Sequence, residues 1–409
     1  MLLFPTIKRG LQTTQHHKNF GALRTGAIGL VATKPGDTMG MKHFEAAIHK
    51  PFISIIIPIY NKQDTISNLL EALSSASCEH EVILVDDHST DNSHSIARYH
   101  CDQSPHFKYI QLDENIGAGG ARNIGAKLAQ GKYICFFDAD DDCNLNALLA
   151  LKKQLAHYNY PDVAITNYER HFFGNKQSAY KFHPNYLGLH SGYDALILRL
   201  NKVICPSPCN KVYRRDYWES NQLCWPSMRH SEDIAVISSF IGHANTVLIS
   251  EISYYTYNVN NTSLTRSFNV DKIKYVMSAL HHMHETTLKI PNVDNIDQLD
   301  NKLFRCAYAH LKYFLKINIE HMSKREISEL CENIIQYNQR YKVPYSFFIR
   351  EFDGYKLLKI IGRKIRKEKL QIKLLQQFPV SQRLLIMLVQ FSPIKIGLWK
   401  KPKPSRFPL

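Results

Sequence analysis

What this chain lacks narrows its identity first. No run reaches the roughly 18 apolar residues that a membrane-crossing helix needs, and the longest late stretch, Leu384–Phe391, is far too short. The first fifty residues contain no apolar segment followed by a small-residue cleavage site, so no secretory signal is expected. The nine cysteines are odd in number and scattered; only Cys205 and Cys209 lie close together, with no second pair at zinc-ligand spacing. Free thiols in a reducing cytosol are the expectation. Internal repeats and low-complexity tracts are missing as well. Wholesale disorder is excluded, because 44% of the 409 residues are hydrophobic and 21% charged. That length suggests roughly two to three domain-sized units.

Charge is present but unevenly placed. The formal net charge is +15. Residues 341–409 hold sixteen Lys and Arg against three acids, and residues 1–50 hold seven against two, which leaves 51–340 at −3. A mildly acidic globule therefore sits between basic ends, and a nucleic-acid partner, which would want a basic crevice, is not expected. Residues 1–50 follow neither the helical nor the strand period and read as a disordered leader or an over-extended start, with Met39 and Met41 as alternative starts. A targeting peptide is the competing reading, and its amphipathic pattern is weak here.

From Phe52 the pattern changes. Phe52–Ile57 is a β-branched run closed by Pro58, which predicts a buried strand. Ile66, Leu69, Leu70 and Leu73 recur at helical spacing. Further strands are predicted at Glu81–Val85, Phe107–Leu112, Tyr133–Phe137 and Asp162–Thr166, with helices through Ile96 and Ala97 and over Leu145–Leu155, and a glycine-rich turn entering a helix within Gly117–Leu128. Alternation at this spacing means βαβ units, hence an α/β fold with a mostly parallel sheet and helices on both faces. Ligands of such sheets bind outside the carboxyl ends of the strands. Tyr60, Asn61, Asp86, Asp87, Asn115 and Asp138–Asp142 should therefore converge on one crevice. Residues 168–230 look like irregular acceptor-side structure, followed by a helix at Glu232–Ile241, a strand at Val247–Tyr257 and a helical region from Val270 to about Tyr337.

The strongest chemical signal is Asp138-Ala-Asp-Asp-Asp142, directly after an apolar strand. Carboxylates crowded there repel one another unless a cation intervenes, and Mg²⁺ or Mn²⁺ prefers such hard oxygen ligands shared with substrate phosphates. A solvated acidic turn is the plainer reading; the position after Tyr133–Phe137 favours metal. Asp86-Asp87 ends the second predicted strand, where a carboxylate can accept from a base N–H or a ribose hydroxyl, or can simply serve a strand-end turn. A phospho-acceptor receiver domain shares that acidic pair but leaves Asp138–Asp142 unexplained. Asn115–Gly125 sets glycines and Arg122 at a helix start, which favours anions, without the spacing of a Walker loop.

Taken in order, Pro58-Ile-Tyr-Asn61, Val85–Ser93, Asn115-Ile-Gly117 with Ala121–Gly125, Phe137–Asp141, Pro208–Arg214, Ser231-Glu-Asp233 and Tyr254–Arg266 resemble the family 2 glycosyltransferases of the GT-A fold, over roughly residues 52–270. The resemblance implies an inverting, metal-dependent transferase acting on a nucleotide-sugar donor, UDP-linked, with a glycan or lipid-linked acceptor in surface polysaccharide or lipopolysaccharide synthesis. It further implies that Pro58 and Tyr60 line the base pocket, Asp87 binds the uracil ring, Arg122 supports the nucleotide and Asp138 meets the ribose. Asp140 would be the direct ligand of Mn²⁺ or Mg²⁺, Asp233 the general base, and Ser263, Thr265 and Arg266 part of a segment closing over the diphosphate. Asp142 and Leu145 depart from the aromatic and proline often found after the acidic motif. No nucleophile is required for a single displacement; one base and a stabilised leaving group suffice. Glu232-Asp233 could alternatively be an acidic pair favoured by the helix dipole. Trp218 and Trp225 could stack on an acceptor sugar or pack in the core.

The resulting organisation is a leader (1–50), a GT-A domain (51–267), a helical subdomain (268–340) and a basic tail (341–409). Lys356–Lys373 interleaves bases with Leu357, Leu358, Ile360, Ile361, Ile365, Leu370 and Ile372. An anionic membrane surface suits that pattern, each base adding about 1 kcal/mol; a solvated helix face is the plainer reading. Peripheral attachment at the cytoplasmic face of the plasma membrane is the expectation. The rival from another class is a non-catalytic basic binder of membrane or nucleic acid on a degenerate transferase fold.

Overall fold

In a computed structural model the chain is described over residues 50–74, 79–172, 176–259, 272–291, 296–318 and 322–343. The Ile-rich run forms β1 (Ile53–Ile59), which is flanked by two fully buried strands, β2 (His80–Asp86) and β4 (Tyr133–Phe136), both parallel to it. β3 (Phe107–Gln111) extends this parallel half beyond β2. The helices between them are α1 (Ile66–Leu73), α2 (Ser93–Gln103) and α3 (Gly117–Leu128). Ile66, Leu69, Leu70 and Leu73 are all fully buried, as one stripe of an amphipathic helix should be.

The other half of the sheet is mixed. After the two-residue β5 (Asp142–Cys143) and α4 (Leu145–His157) comes β6 (Val163–Phe172), longer than its predicted core. Residues 168–230, expected to be irregular, instead build much of this half: β7 (Lys176–Tyr180), β8 (Gly188–His190), α5 (Gly192–Leu200), β9 (Lys211–Arg214) and α6 (Arg215–Ser220). β9 lies between β4 and β6 and is antiparallel to both. α7 (Glu232–Gly242) and β10 (Val247–Val259) complete the unit, β10 running parallel to β6 and antiparallel to β5 and β8. The strand order is β3-β2-β1-β4-β9-β6-β10-β5, with β7 on β6 and β8 on β10.

Apolar cores cover both faces of the sheet. One joins Leu69, Leu73, Leu148 and Leu151 to Ile55 and Ile57; the other joins Trp218, Trp225, Phe240 and Ile241 to Ile56, Phe136 and Tyr213. A third core lies among α8 (Lys272–Thr287), α9 (Ile296–Asn318) and α10 (Lys324–Arg340), and it also takes in Leu196 and Leu200 of α5. Ser323 and Glu326 close a reciprocal capping box at the start of α10. Among the described residues no helix is long and apolar enough to cross a membrane.

Candidate active site

β1, β2 and β4 point the same way, so the residues that follow them gather at one edge. The loops after β1 and β2 are laced together there. Asn61, in the left-handed region at φ 51°, accepts through its side chain from the Thr90 N–H at 2.8 Å and donates its own N–H to Ser89 Oγ at 3.1 Å. Tyr60 stands 46% exposed at the mouth, and Pro58 lies partly buried behind it on β1.

Asp87 lies deeper, only 2% exposed. Its two carboxylate oxygens accept the backbone N–H groups of Ile116 and Gly117 at 2.7 and 2.8 Å. Two orphan donors at the start of α3 are thereby satisfied, and Gly117 (φ +84°) makes the turn that aims them. Burial raises the Asp87 carboxyl above the ordinary range despite those bonds. The structure thus gives Asp87 a positioning task at the glycine turn, and contact with a base would use the remaining lone pairs of the same oxygens.

The glycines of α3 serve close approach. A Cβ at Gly119 would come 3.1 Å from the Pro226 carbonyl oxygen and 3.2 Å from Trp225 Cβ. This contact lets Arg122, one turn further along, reach across the crevice. Arg122 is 3% exposed; its guanidinium donates to Asp138 Oδ1 at 2.8 Å and to Glu232 Oε1 at 2.7 Å, and it stacks over the Trp225 indole at 5.0 Å. Trp218 and Trp225 are 6% and 2% exposed, so both are core residues rather than stacking platforms for a sugar.

The acidic run is held from two sides. Asp138 follows β4 with its side chain 39% exposed. The side chain of Asp140 is 23% exposed and pairs with Lys62, Nζ to Oδ2 at 2.5 Å. Asp141 is buried: Tyr255 donates its hydroxyl to one oxygen, and the Asn258 N–H donates to the other at 2.8 Å. Asn258 Nδ2 also reaches the Asp140 carbonyl at 3.1 Å and Asp142 Oδ2 at 2.9 Å, so β10 clamps Asp140–Asp142. Burial, and after it the Asp138 charge, hold the Asp141 carboxyl well above the usual carboxylate range.

One ligand atom from each of Asp138, Asp141 and Cys209 lies within 4.8 Å of the others. The Cys209 thiol, pushed up by burial and then by Asp138, stays protonated and is a poor match for a hard cation. The accessible carboxylates of Asp138 and Asp140 are the hard donors that suit Mg²⁺ or Mn²⁺. Lys211 secures the loop carrying Cys209, donating from Nζ to the carbonyls of Cys205 and Ser207 and to Asn210 Oδ1 at 2.7–2.9 Å. Burial lowers that amine to about 8.

On the opposite wall, Ser231 at φ 65° turns the chain sharply into α7, so Glu232 and Asp233 occupy its first turn. Such a conformation at a non-glycine residue is strained. One oxygen of Asp233 accepts the Ile234 N–H at 2.8 Å. Burial, followed by the neighbouring Glu232 charge, raises the Asp233 carboxyl to about 6, against the pull of Arg122 and Arg199. A carboxyl poised there can take a proton near neutral pH.

The crevice therefore brings together Pro58, Tyr60, Asp87, Arg122, Asp138, Asp140 and Asp233. Ser263, Thr265 and Arg266 lie outside the described residues, as do residues 1–49 of the leader and nearly all of the basic tail. Lys62 is a site residue outside the sequence motifs, and Tyr255 and Asn258 lie within the Tyr254–Arg266 motif without having been given a role there. Asn258 meets acids 116 to 118 residues away, a pairing that no local pattern announces.

Residues 54–220 match the model of the family described as Glycosyl transferase family 2. The chain is 32% identical over 223 residues to the uncharacterized glycosyltransferase YibD of Escherichia coli, covering 52% of this chain and 63% of that protein. It is 24% identical over 287 residues to the succinoglycan biosynthesis protein ExoO of Rhizobium meliloti, covering 68% and 79%. The chain thus spans a little under two thirds of the length of the first of these relatives. Among solved structures, S. aureus TarS 1–349 in complex with UDP-GlcNAc superposes with a TM-score of 0.53 at 18% identity, over 74% of this chain and 91% of that one. At that identity the likeness speaks for the fold.

Proposed function

We propose, from the match of residues 54–220 to the model of glycosyl transferase family 2, that the chain moves a sugar from a UDP-linked donor to a glycan or lipid-linked acceptor in surface polysaccharide synthesis, inverting the anomeric centre. The observation that carries this reading is Arg122, which ties Asp138 on the donor side to Glu232, next to Asp233, on the acceptor side. One buried guanidinium thereby sets the distance between the two halves of the reaction.

In this reading Pro58, Tyr60 and Asp87 receive the base, and Asp138 meets the ribose. Asp140, with Asp138 beside it, would hold Mn²⁺ or Mg²⁺, which would supply positive charge against that growing on the departing diphosphate. Asp233 takes the proton of the attacking acceptor hydroxyl as that oxygen bonds to the anomeric carbon. Arg122 keeps Glu232, and with it the first turn of α7, facing the donor. Ser263, Thr265 and Arg266 belong to the segment assigned to the diphosphate.

Thermal stability across UDP, GDP, CDP and ADP, with and without Mn²⁺, tests the assignment. Stabilisation is expected with UDP plus Mn²⁺ and should be lost in Asp140→Ala. A folded sample indifferent to every nucleotide would favour a non-catalytic binder instead. The basic 341–409 stretch supports attachment to an anionic membrane surface. The full chain should co-sediment with phosphatidylglycerol-rich vesicles at low salt and be released at high salt, and should ignore neutral vesicles.

A further inference from the structure

Lys62 has no part in the chemistry assigned above, yet it touches the central carboxylate of the site. Its backbone is fixed: the Lys62 N–H donates to Ser93 Oγ at 2.7 Å, and three residues on Thr65 Oγ1 donates to the Ala139 carbonyl at 3.2 Å. The loop after β1 is thus fastened to both the α2 start and the acidic run. From there the side chain extends to place Nζ 2.5 Å from Asp140 Oδ2. The Asp140 backbone is held in place, because Asn258 bonds its carbonyl while also binding Asp141 and Asp142. Arg122 already pairs with Asp138, and the Lys62 ammonium group is the counter-charge at Asp140.

A divalent cation would seek the same oxygen. We propose that Lys62 is a built-in competitor for the metal at Asp140: it neutralises Asp140 in the free enzyme and yields the carboxylate when metal and nucleotide diphosphate arrive together. The diphosphate then offers the displaced ammonium group a new anionic partner, so metal binds weakly alone and well with nucleotide. This rests on the assignment of Asp140 as metal ligand. The ion pair is only partly exposed, with side-chain exposures of 31% and 23%, so its removal should be felt modestly.

Direct Mn²⁺ binding, read from the paramagnetic resonance signal of free Mn²⁺, separates the possibilities without reference to turnover. In the absence of nucleotide, Lys62→Met is expected to bind Mn²⁺ about three- to fivefold tighter than wild type, as expected for loss of a partly exposed ion pair. Lys62→Arg should keep the weak wild-type affinity, and the gain in Mn²⁺ affinity on adding UDP should shrink in Lys62→Met. Asp140→Asn should lose Mn²⁺ in either background. Unchanged or weaker Mn²⁺ binding by Lys62→Met, with the Asp140→Asn loss intact, overturns the competition alone. Binding that survives Asp140→Asn, or is absent from every protein, overturns the metal assignment and the competition together. Circular dichroism on each variant confirms that the fold is retained.

Discussion

Asp233→Asn is expected to lower kcat by about 10²–10⁴-fold, the usual contribution of a positioned general base, while UDP binding stays near wild type and the fold is retained. The amide has the carboxylate's shape and can still accept the Ile234 N–H, so the turn entering α7 keeps its local bond. What it cannot do is take a proton. If nucleotide binding failed with turnover, the base assignment would lose its support, because Asp233 is placed on the acceptor side.

The pH profile provides a second, independent reading of the same residue. A base must be ionised, and burial with the Glu232 charge raises the Asp233 carboxyl to about 6. Wild-type kcat should therefore rise through about pH 6 and level off above it. Stability should move the other way. Between the ordinary carboxylate pKa near 4 and the folded value near 6, the folded state binds a proton that the unfolded state has already released. This group's contribution to stability then falls as pH rises across that window. Opposite slopes of activity and stability between pH 4 and 6 are the signature, and Asp233→Asn should remove both contributions.

The parts of the molecule legible in the sequence are those whose signals are local. β1 and α1 follow from an Ile run and a four-residue apolar stripe, whereas Gly117–Leu128, expected as a glycine-rich turn entering a helix, is helical throughout, with its glycines inside α3 rather than before it. The convergence of Tyr60, Asp87 and Asp138 follows from parallel strands ending at one edge. The segment 168–230 was opaque for a physical reason. β9 is four residues long, Lys-Val-Tyr-Arg, too short for a period to register. It is a strand because β4 and β6 offer it two antiparallel edges. The same limit hid the partners within the site. Position after a strand marked the Asp86-Asp87 pair and the Asp138–Asp142 run, and the family resemblance singled out Asp87 and Asp140, but neither gave the Ile116 and Gly117 amides or the Lys62 ammonium that occupy them. Such contacts join loops 28 or more residues apart, and only the assembled sheet brings them together.

Arg122→Met is the second large expected effect, and it is expected in stability and catalysis at once. The substitution keeps a long apolar side chain over Trp225 but leaves Glu232 and Asp138 without their shared cation. Breaking a buried ion pair from one side costs about 3–5 kcal/mol. Asp138, with its side chain 39% exposed, can rehydrate, whereas Glu232, at 14%, cannot do so readily. The loss should therefore lie near the lower end, about 3 kcal/mol, measured as a shift in the urea midpoint at constant slope. Arg122→Lys should recover part of that stability but not the geometry, because one ammonium group lacks the planar fork that reaches two carboxylates on opposite walls. Both variants should also report through Asp233. Arg122 is one of the charges that holds the Asp233 carboxyl down, so its removal in Arg122→Met should move the acid limb of the kcat profile above pH 6. Arg122→Lys, which keeps the charge, should leave that limb near its wild-type position. A midpoint shift without any movement of the acid limb would make Arg122 a structural strut alone. Movement of the limb in Arg122→Met but not in Arg122→Lys would place donor site and base under one buried charge.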